Sequence, residues 1–110
     1  MKSYLVDELQ PADLRRIHEF LRGKAVCSGM ETLFWVEVPN SVLTPLQHEH
    51  LACQPLVFAL EIGQGFAKAE LFLRTLKDMG CPCQDYGTLQ QVRFIIEWVN
   101  GMLNNLGIRT

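Results

Sequence analysis

The apolar positions of the chain recur with two different periods. Spacings of three and four residues indicate helices, whereas period-two alternation rich in β-branched and aromatic residues indicates strands. These patterns predict helices at 11–22, 45–52 and 89–106, and strands at 4–6, 32–38, 56–62, 66–76 and 81–86. The elements follow the order strand, helix, strand, helix, three-strand meander, helix. We therefore predict a single two-layer α+β domain over residues 1–110, with helices on one face of an antiparallel sheet of about four to five strands.

Local signals mark where the helices begin. Pro11 suits a first helical position, where the missing N–H is not needed. Thr44 and Thr88 are each followed three residues later by a glutamine, Gln47 and Gln91. A threonine cap with glutamine at this spacing forms a capping box, in which each side chain bonds the backbone N–H of the other residue. The second and third helices are therefore expected to begin directly after these threonines.

Alternation along the predicted strands sorts their side chains onto two faces. One face is apolar and should meet the helices; it carries Phe34, Val36, Val38, Leu56, Phe58, Leu60, Ile62, Ala69, Leu71 and Leu73. The other face mixes large apolar and charged groups; it carries Leu33, Trp35, Glu37, Val57, Ala59, Glu61, Lys68, Glu70, Phe72 and Arg74. A fully solvated sheet face is usually more polar than this. A covering loop or N-terminal segment, a second copy of the chain and a ligand groove are the three interpretations.

The last predicted helix carries a second apolar stripe. Phe94 and Trp98 lie four residues apart, outside the main stripe of that helix. Such aromatic pairs belong to cores or to subunit contacts, where Trp and Phe are enriched. A small domain that cannot cover both this stripe and the mixed sheet face gains stability by self-association, most commonly as a symmetric dimer. Trp35, Phe72, Phe94 and Trp98 are therefore the predicted homodimer interface.

Composition excludes several classes of protein. The chain has 110 residues, of which 48% are hydrophobic and 20% charged, as in ordinary globular domains. Its formal net charge of −2 lacks the basic excess that nucleic-acid binding requires. Its longest apolar runs fall far short of a membrane span, and acidic residues near the N-terminus argue against a secretory signal. We expect a cytoplasmic protein that binds neither nucleic acid nor membranes.

Three of the four cysteines, with one histidine, form the main chemical motif. His50 and Cys53 are three residues apart in the second predicted helix, and Cys81 and Cys83 form a Cys-Pro-Cys motif in a predicted strand. Both spacings place two ligands on one side of their element, and a Cys3His set is typical of structural zinc. The alternative is that these thiols are small buried groups, as free cysteines often are. Zinc binding by these four residues is thus one of the two interpretations that the sequence supports.

Catalytic motifs are weak by comparison. We find no nucleophile elbow, phosphate-binding glycine loop or dinucleotide fingerprint in the chain. The carboxylates of Glu37, Glu61 and Glu70 fall beside Lys68 and Arg74, where cross-strand pairing explains them without catalysis. The leading expectation is a non-enzymatic binding or interaction module that forms homodimers. A zinc-binding module is the first alternative, and a small thiol or carboxylate enzyme is the second.

Overall fold

Residues 2–109 are described by a computed structural model of the chain. Its strands are β1 (Ser3–Val6), β2 (Val26–Cys27), β3 (Leu33–Glu37), β4 (Leu56–Gly63), β5 (Phe66–Glu70), β6 (Phe72–Thr75) and β7 (Asp85–Tyr86). Its helices are α1 (Pro11–Lys24), α2 (Pro45–Glu49) and α3 (Leu89–Asn105), with short 3-10 helices at Asn40–Val42 and Leu51–Cys53. Within this part of the chain no helix has both the length and the hydropathy of a membrane span.

The strands form one antiparallel sheet in the order β1-β5-β4-β3-β2, and β6 pairs with both β4 and β7. The predicted α+β fold with an antiparallel sheet is confirmed. The sheet has seven strands rather than four to five. One additional strand is β2, whose two residues are too few to produce a visible period. The other arises because the predicted strand 66–76 forms two strands, β5 and β6.

The long predicted strand 66–76 is divided near Leu71. From Leu60 to Leu56, four steps of β4 face six steps of the opposite chain, from Ala69 to Thr75. The two extra residues form a bulge, which bends the strand and separates β5 from β6. The Leu71 amide instead donates to the Lys2 carbonyl at 3.1 Å. The division brings β6 against the first residues of β4 and directs the following loop toward α2.

The apolar sheet face forms the core, as the alternation predicted. Phe34, Phe58 and Leu60 are at most 2% exposed, and α1 and α3 contribute further buried residues to the same cluster: Ile17, Leu21, Ile95, Val99, Met102 and Leu103. Helix α3 is also joined to β1, because the Tyr4 hydroxyl donates to Asn100 Oδ1 at 2.7 Å. Both long helices therefore pack on one face of the sheet.

The predicted second stripe of α3 has contacts within the chain. Phe94 and Trp98 both pack edge-to-face against Phe58, and Trp98 also contacts Phe20 of α1. Both side chains are half-buried. The core alternative therefore explains most of this stripe, and a role for Phe94 and Trp98 in a dimer stays a prediction.

On the mixed sheet face, charged groups pair with one another. Lys68 Nζ lies 3.4 Å from Glu61 Oε1 across two strands, and Arg74 makes two hydrogen bonds with the carboxylate of Glu70. The Arg74 guanidinium also lies 5.1 Å from the ring centre of Phe72. Trp35 is half-buried on this face. The carboxylates considered for catalysis thus lie in ordinary ion pairs, except for the exposed Glu37.

Candidate metal centre

His50 and Cys53 lie at a break between two short helices. The second predicted helix does not continue to residue 52, because α2 ends at Glu49 and His50 leaves the helical region with φ −88° and ψ 63°. A 3-10 helix, Leu51–Cys53, follows, and the Cys53 amide donates to the His50 carbonyl at 3.0 Å. Residues three apart are nearly eclipsed in a 3-10 helix. The side chains of His50 and Cys53 therefore lie on the same side of the chain. The predicted α-helix was wrong at these two residues, but the predicted grouping is kept.

Cys81 and Cys83 lie on a turn and not on a strand. The Cys81 amide donates to the Asp78 carbonyl at 3.1 Å, and the Gln84 amide donates to the Cys81 carbonyl at 3.3 Å. Pro82 favours such a turn, since its ring fixes φ and it has no N–H for a strand ladder. The predicted strand 81–86 is therefore reduced to β7. The two thiols nevertheless face each other, with 2.7 Å between their sulfurs.

The four predicted ligands meet in one cluster. Their ligand atoms all lie within 4.8 Å of one another. The Cys81 sulfur is central, at 3.0 Å from His50 Nδ1 and 3.2 Å from the Cys53 sulfur. Cys53, Cys81 and Cys83 are 8%, 6% and 1% exposed, and His50 is half-buried. Segments that are 28 to 31 residues apart along the chain thus bring their sulfur and nitrogen donors together.

Neighbouring polar side chains hold the backbone of these ligands. The Thr75 hydroxyl donates to the Cys53 carbonyl at 2.6 Å, and Gln47 Nε2 donates to the Cys83 carbonyl at 3.0 Å. Gln84 Oε1 accepts from the Thr75 amide, which joins the turn to β6. From the sequence, Gln47 was predicted only as a capping residue, and Thr75 and Gln84 were not predicted to have a role at the site. No local pattern marks these roles, because each depends on a contact between distant segments.

The three thiols of the cluster differ in pKa. Burial acts to raise the pKa of Cys81, but hydrogen bonds with Cys83, Cys53 and His50 outweigh it and lower this pKa to about 7. Burial, together with hydrogen bonds to the other two thiols, raises the pKa of Cys83 to about 12. The hydrogen bond to Cys81, and then burial, raises the pKa of Cys53. The cluster thus favours one thiolate, at Cys81, with the other groups arranged around it.

A dication could replace the shared protons of this cluster. A tetrahedral zinc ion, with Zn–S bonds of about 2.3 Å and a Zn–N bond of about 2.0 Å, separates its ligand atoms by roughly 3.5–3.8 Å. The sulfurs of Cys81 and Cys83 would have to move apart by about 1 Å, and the widest separation in the cluster, at most 4.8 Å, would shorten by no more than about 1 Å. Side-chain rotation supplies shifts of that size without a change of fold. The donor set and its compactness therefore fit a zinc ion.

The remaining cysteine lies elsewhere. Cys27 is exposed on the short strand β2 and pairs with Phe34 of β3. It does not belong to the group of residues that converge around Cys81. Cys27 is therefore a suitable control for experiments on the other three thiols.

Comparison of the chain with protein-family models, with curated proteins and with solved structures found no match. The functional assignment therefore depends on the residues and their geometry alone.

Proposed function

We propose that this protein is a small α+β metal-binding module whose His50, Cys53, Cys81 and Cys83 hold one structural zinc ion. The observation that supports the proposal is the convergence of one imidazole nitrogen and three thiol sulfurs within 4.8 Å, from two distant segments. A Cys3His set is among the common ligand sets of structural zinc, and thiolates and imidazoles are poor ligands for calcium or magnesium. Zinc is thus the metal that the donor chemistry favours.

A structural role suits this ligand set better than a catalytic one. Four protein ligands complete a tetrahedral zinc ion, whereas catalytic zinc keeps one position open for water or substrate. A thiol oxidoreductase is the competing interpretation, and the lowered pKa of Cys81 is consistent with it. However, all three thiols are at most 8% exposed, so a protein substrate has little access to them. The proposed role of the metal is to join the α2 region to the turn before β7.

The direct test is elemental analysis of protein purified without chelator. Wild type and the Cys27→Ser variant are expected to contain about one zinc ion per chain, as a closed structural site does. Cys81→Ser removes the sulfur that contacts the three other ligands, so its zinc content should fall to near zero. Cys27→Ser is the matched control, because it removes an exposed thiol outside the cluster.

Two results would contradict the proposal. The first is wild-type protein that contains less than about a tenth of an equivalent of zinc, and takes up none from added zinc, where a closed site holds one ion. The second is equal zinc content in wild type and Cys81→Ser. In either case the cluster would be a set of buried thiols with a packing role.

We also propose that the mixed sheet face contacts a second copy of the chain. Support comes from Trp35 and Phe72, which are half-buried on that face, away from the two long helices. The face also carries both signs of charge, Glu61 with Lys68 and Glu70 with Arg74, so a two-fold axis can place acid opposite base.

Light scattering at micromolar concentrations tests this second proposal. The expected mass is twice the chain mass of 12.5 kDa, and Trp35→Lys should reduce it to that of one chain. A wild-type mass of one chain across the whole concentration range would overturn the proposal. Self-association and zinc content are separate measurements, so either proposal can fail without the other.

A further inference from the structure

Two buried glutamines link the beginning of α3 to the cluster. Gln47 and Gln91 are 3% and 1% exposed, and each occupies the third helical position of its capping box. Gln91 Nε2 donates to Gln47 Oε1 at 2.8 Å, and Gln47 Nε2 donates to the Cys83 carbonyl at 3.0 Å. A continuous chain of hydrogen bonds thus runs from the first turn of α3 to the backbone of a proposed zinc ligand.

The other bonds of these glutamines fix the orientation of both amides. Gln47 Oε1 accepts from the Thr44 amide as well as from Gln91, so its oxygen has two donors and its Nε2 is directed to Cys83. Gln91 Oε1 accepts from the Thr88 amide, while its Nε2 donates to both Val42 and Gln47. Each amide would lose several bonds if it rotated by 180°. The direction of donation is therefore determined by the surroundings.

Local capping does not require this arrangement. A capping box is complete with the bonds to its own threonine, and glutamine is mostly an exposed residue in proteins. Here both glutamines are buried together, and a buried amide is costly unless its polar atoms are all paired. Within residues 2–109 no buried side-chain nitrogen or oxygen lacks a hydrogen-bond partner. The pairing between the two caps is thus a specific connection between α2, α3 and the turn at Cys83.

We propose that Gln91 is a positioning residue of the metal centre, acting through Gln47 on the Cys81–Cys83 turn, so that metal binding and the docking of α3 are coupled. This inference rests on the proposed zinc site. When Gln91 holds Gln47, the Cys83 carbonyl is held and the two thiols stay directed at Cys53 and His50. Coupling of this kind is reciprocal: a docked α3 favours the metal, and the metal favours a docked α3 by the same factor.

The variant Gln91→Glu separates the connection from the cap. Glutamate also caps at the third position, so its carboxylate can still accept from the Thr88 amide. A carboxylate cannot donate to Gln47 Oε1, and the two oxygens would face each other. While this carboxylate is ionised, the repulsion is relieved only if Gln47 rotates, which turns its oxygen toward the Cys83 carbonyl and breaks that bond. The effect at the metal site is then transmitted without a change in any ligand.

Tyr4→Phe is the matched control. It removes the hydrogen bond from the Tyr4 hydroxyl to Asn100, which also joins α3 to another element, but has no part in the chain of bonds to Cys83. A general loosening of α3 would affect both variants. A variant that stays folded but is merely less stable keeps the metal affinity of its native state, because affinity reports on the folded protein.

The experiment measures the zinc dissociation constant by competition with a chromophoric chelator, and records the absorption spectrum of bound Co2+. Residues that orient metal ligands through hydrogen bonds typically contribute about 10–100-fold to the affinity for the metal. We expect Gln91→Glu to weaken zinc binding by about tenfold and to change the Co2+ spectrum, and Tyr4→Phe to leave both as in wild type. Gln91→Met lacks the donor in every protonation state and also lacks the acceptor for the Thr88 amide. It should weaken binding in the same direction, and it is the deciding variant if Gln91→Glu does not fold or is protonated by burial.

The outcomes distinguish failure of the coupling through Gln91 from failure of the zinc site itself. If wild type binds zinc and the folded Gln91 variants bind it equally well, the coupling is wrong and the zinc site stands. If Tyr4→Phe weakens binding as much as Gln91→Glu, the effect is a general one of α3 and the specific connection is wrong. If wild type binds neither zinc nor Co2+, the proposed function fails and the inference fails with it.

Discussion

The sulfur of Cys53 lies 3.2 Å from the sulfur of Cys81, although 28 residues separate them along the chain. Between them the chain forms β4, β5 and β6, so the folded meander brings the two sulfurs together. A metal ion bound here would close this loop and would bind the native chain in preference to the unfolded one. Metal binding and stability are therefore expected to change together.

Zinc should stabilise the protein measurably. At a free zinc concentration of 100 times the dissociation constant, binding to the native state adds about 2.7 kcal/mol, a rise of about 10 °C in melting temperature for a domain of this size. Scanning calorimetry with added zinc and with a chelator measures this shift. Cys27→Ser should show the full shift and Cys81→Ser almost none. Equal shifts in the two variants would assign the stabilisation to some other site.

Without metal, stability should depend on pH in two opposite ways. The pKa of Cys81 is lowered from 9.0 to about 7 by folding, so its contribution is complete above pH 9 and is lost as the pH falls toward 7. The raised pKa values of Cys53 and Cys83 act in the other direction and reduce stability above about pH 9. Stability of chelator-treated protein is thus expected to rise from pH 7 to 9 and then decline.

Urea denaturation across this pH range provides the measurement. Cys81→Ser should lose the rise between pH 7 and 9, because serine does not titrate there. A wild-type profile that is flat or falling over this interval would show that Cys81 is not the favoured thiolate.

Replacing Gly63 with alanine should destabilise the hairpin of β4 and β5. Phe66 is the cross-strand partner of Gly63, and its ring covers the space that a Cβ atom would need. The ring would have to move outward, and forcing extra atoms into a packed position typically costs about 1–3 kcal/mol. Urea denaturation should show this loss. A Gly63→Ala variant as stable as wild type would mean that the ring moves freely.

Gly101→Ala should have the opposite effect. Gly101 lies inside α3, and a Cβ atom added there meets no other atom within 4 Å. Alanine in a helix interior is more favourable than glycine by about 0.5–1 kcal/mol, because the unfolded chain loses less freedom on folding. The same denaturation measurement should show a gain of that size. A loss of stability would imply that the space at Gly101 is filled in solution, for example by a second copy.

Local signals predicted much of this fold, and contacts between distant segments account for the rest. The capping boxes at Thr44 and Thr88 begin their helices as expected, since both depend only on residues three positions apart. The bulge at Leu71 was not predicted, because it arises from the pairing of this segment with β4. The strands β2 and β7 are held by their neighbours and have no periodicity of their own.

The candidate site likewise combines features that the local sequence predicted with features that depend on distant contacts. Residue types and short spacings were enough to group His50 with Cys53 and Cys81 with Cys83, even though both local backbones differ from the prediction. A 3-10 helix and a tight turn happen to keep each pair on one side, as the predicted helix and strand would have done. The link from Gln91 to Cys83 could not be predicted, because it requires the relative placement of two helices.

The sheet ends in very short strands. Its outer strands, β1, β2 and β7, have four, two and two residues. An outer strand exposes unpaired N–H and C=O groups on which another chain can extend the sheet, and short outer strands offer few of them. The fold is therefore poorly suited to open-ended growth into fibres. The proposed contact between copies would instead use the side chains of the mixed sheet face, and a two-fold contact of that kind closes on itself.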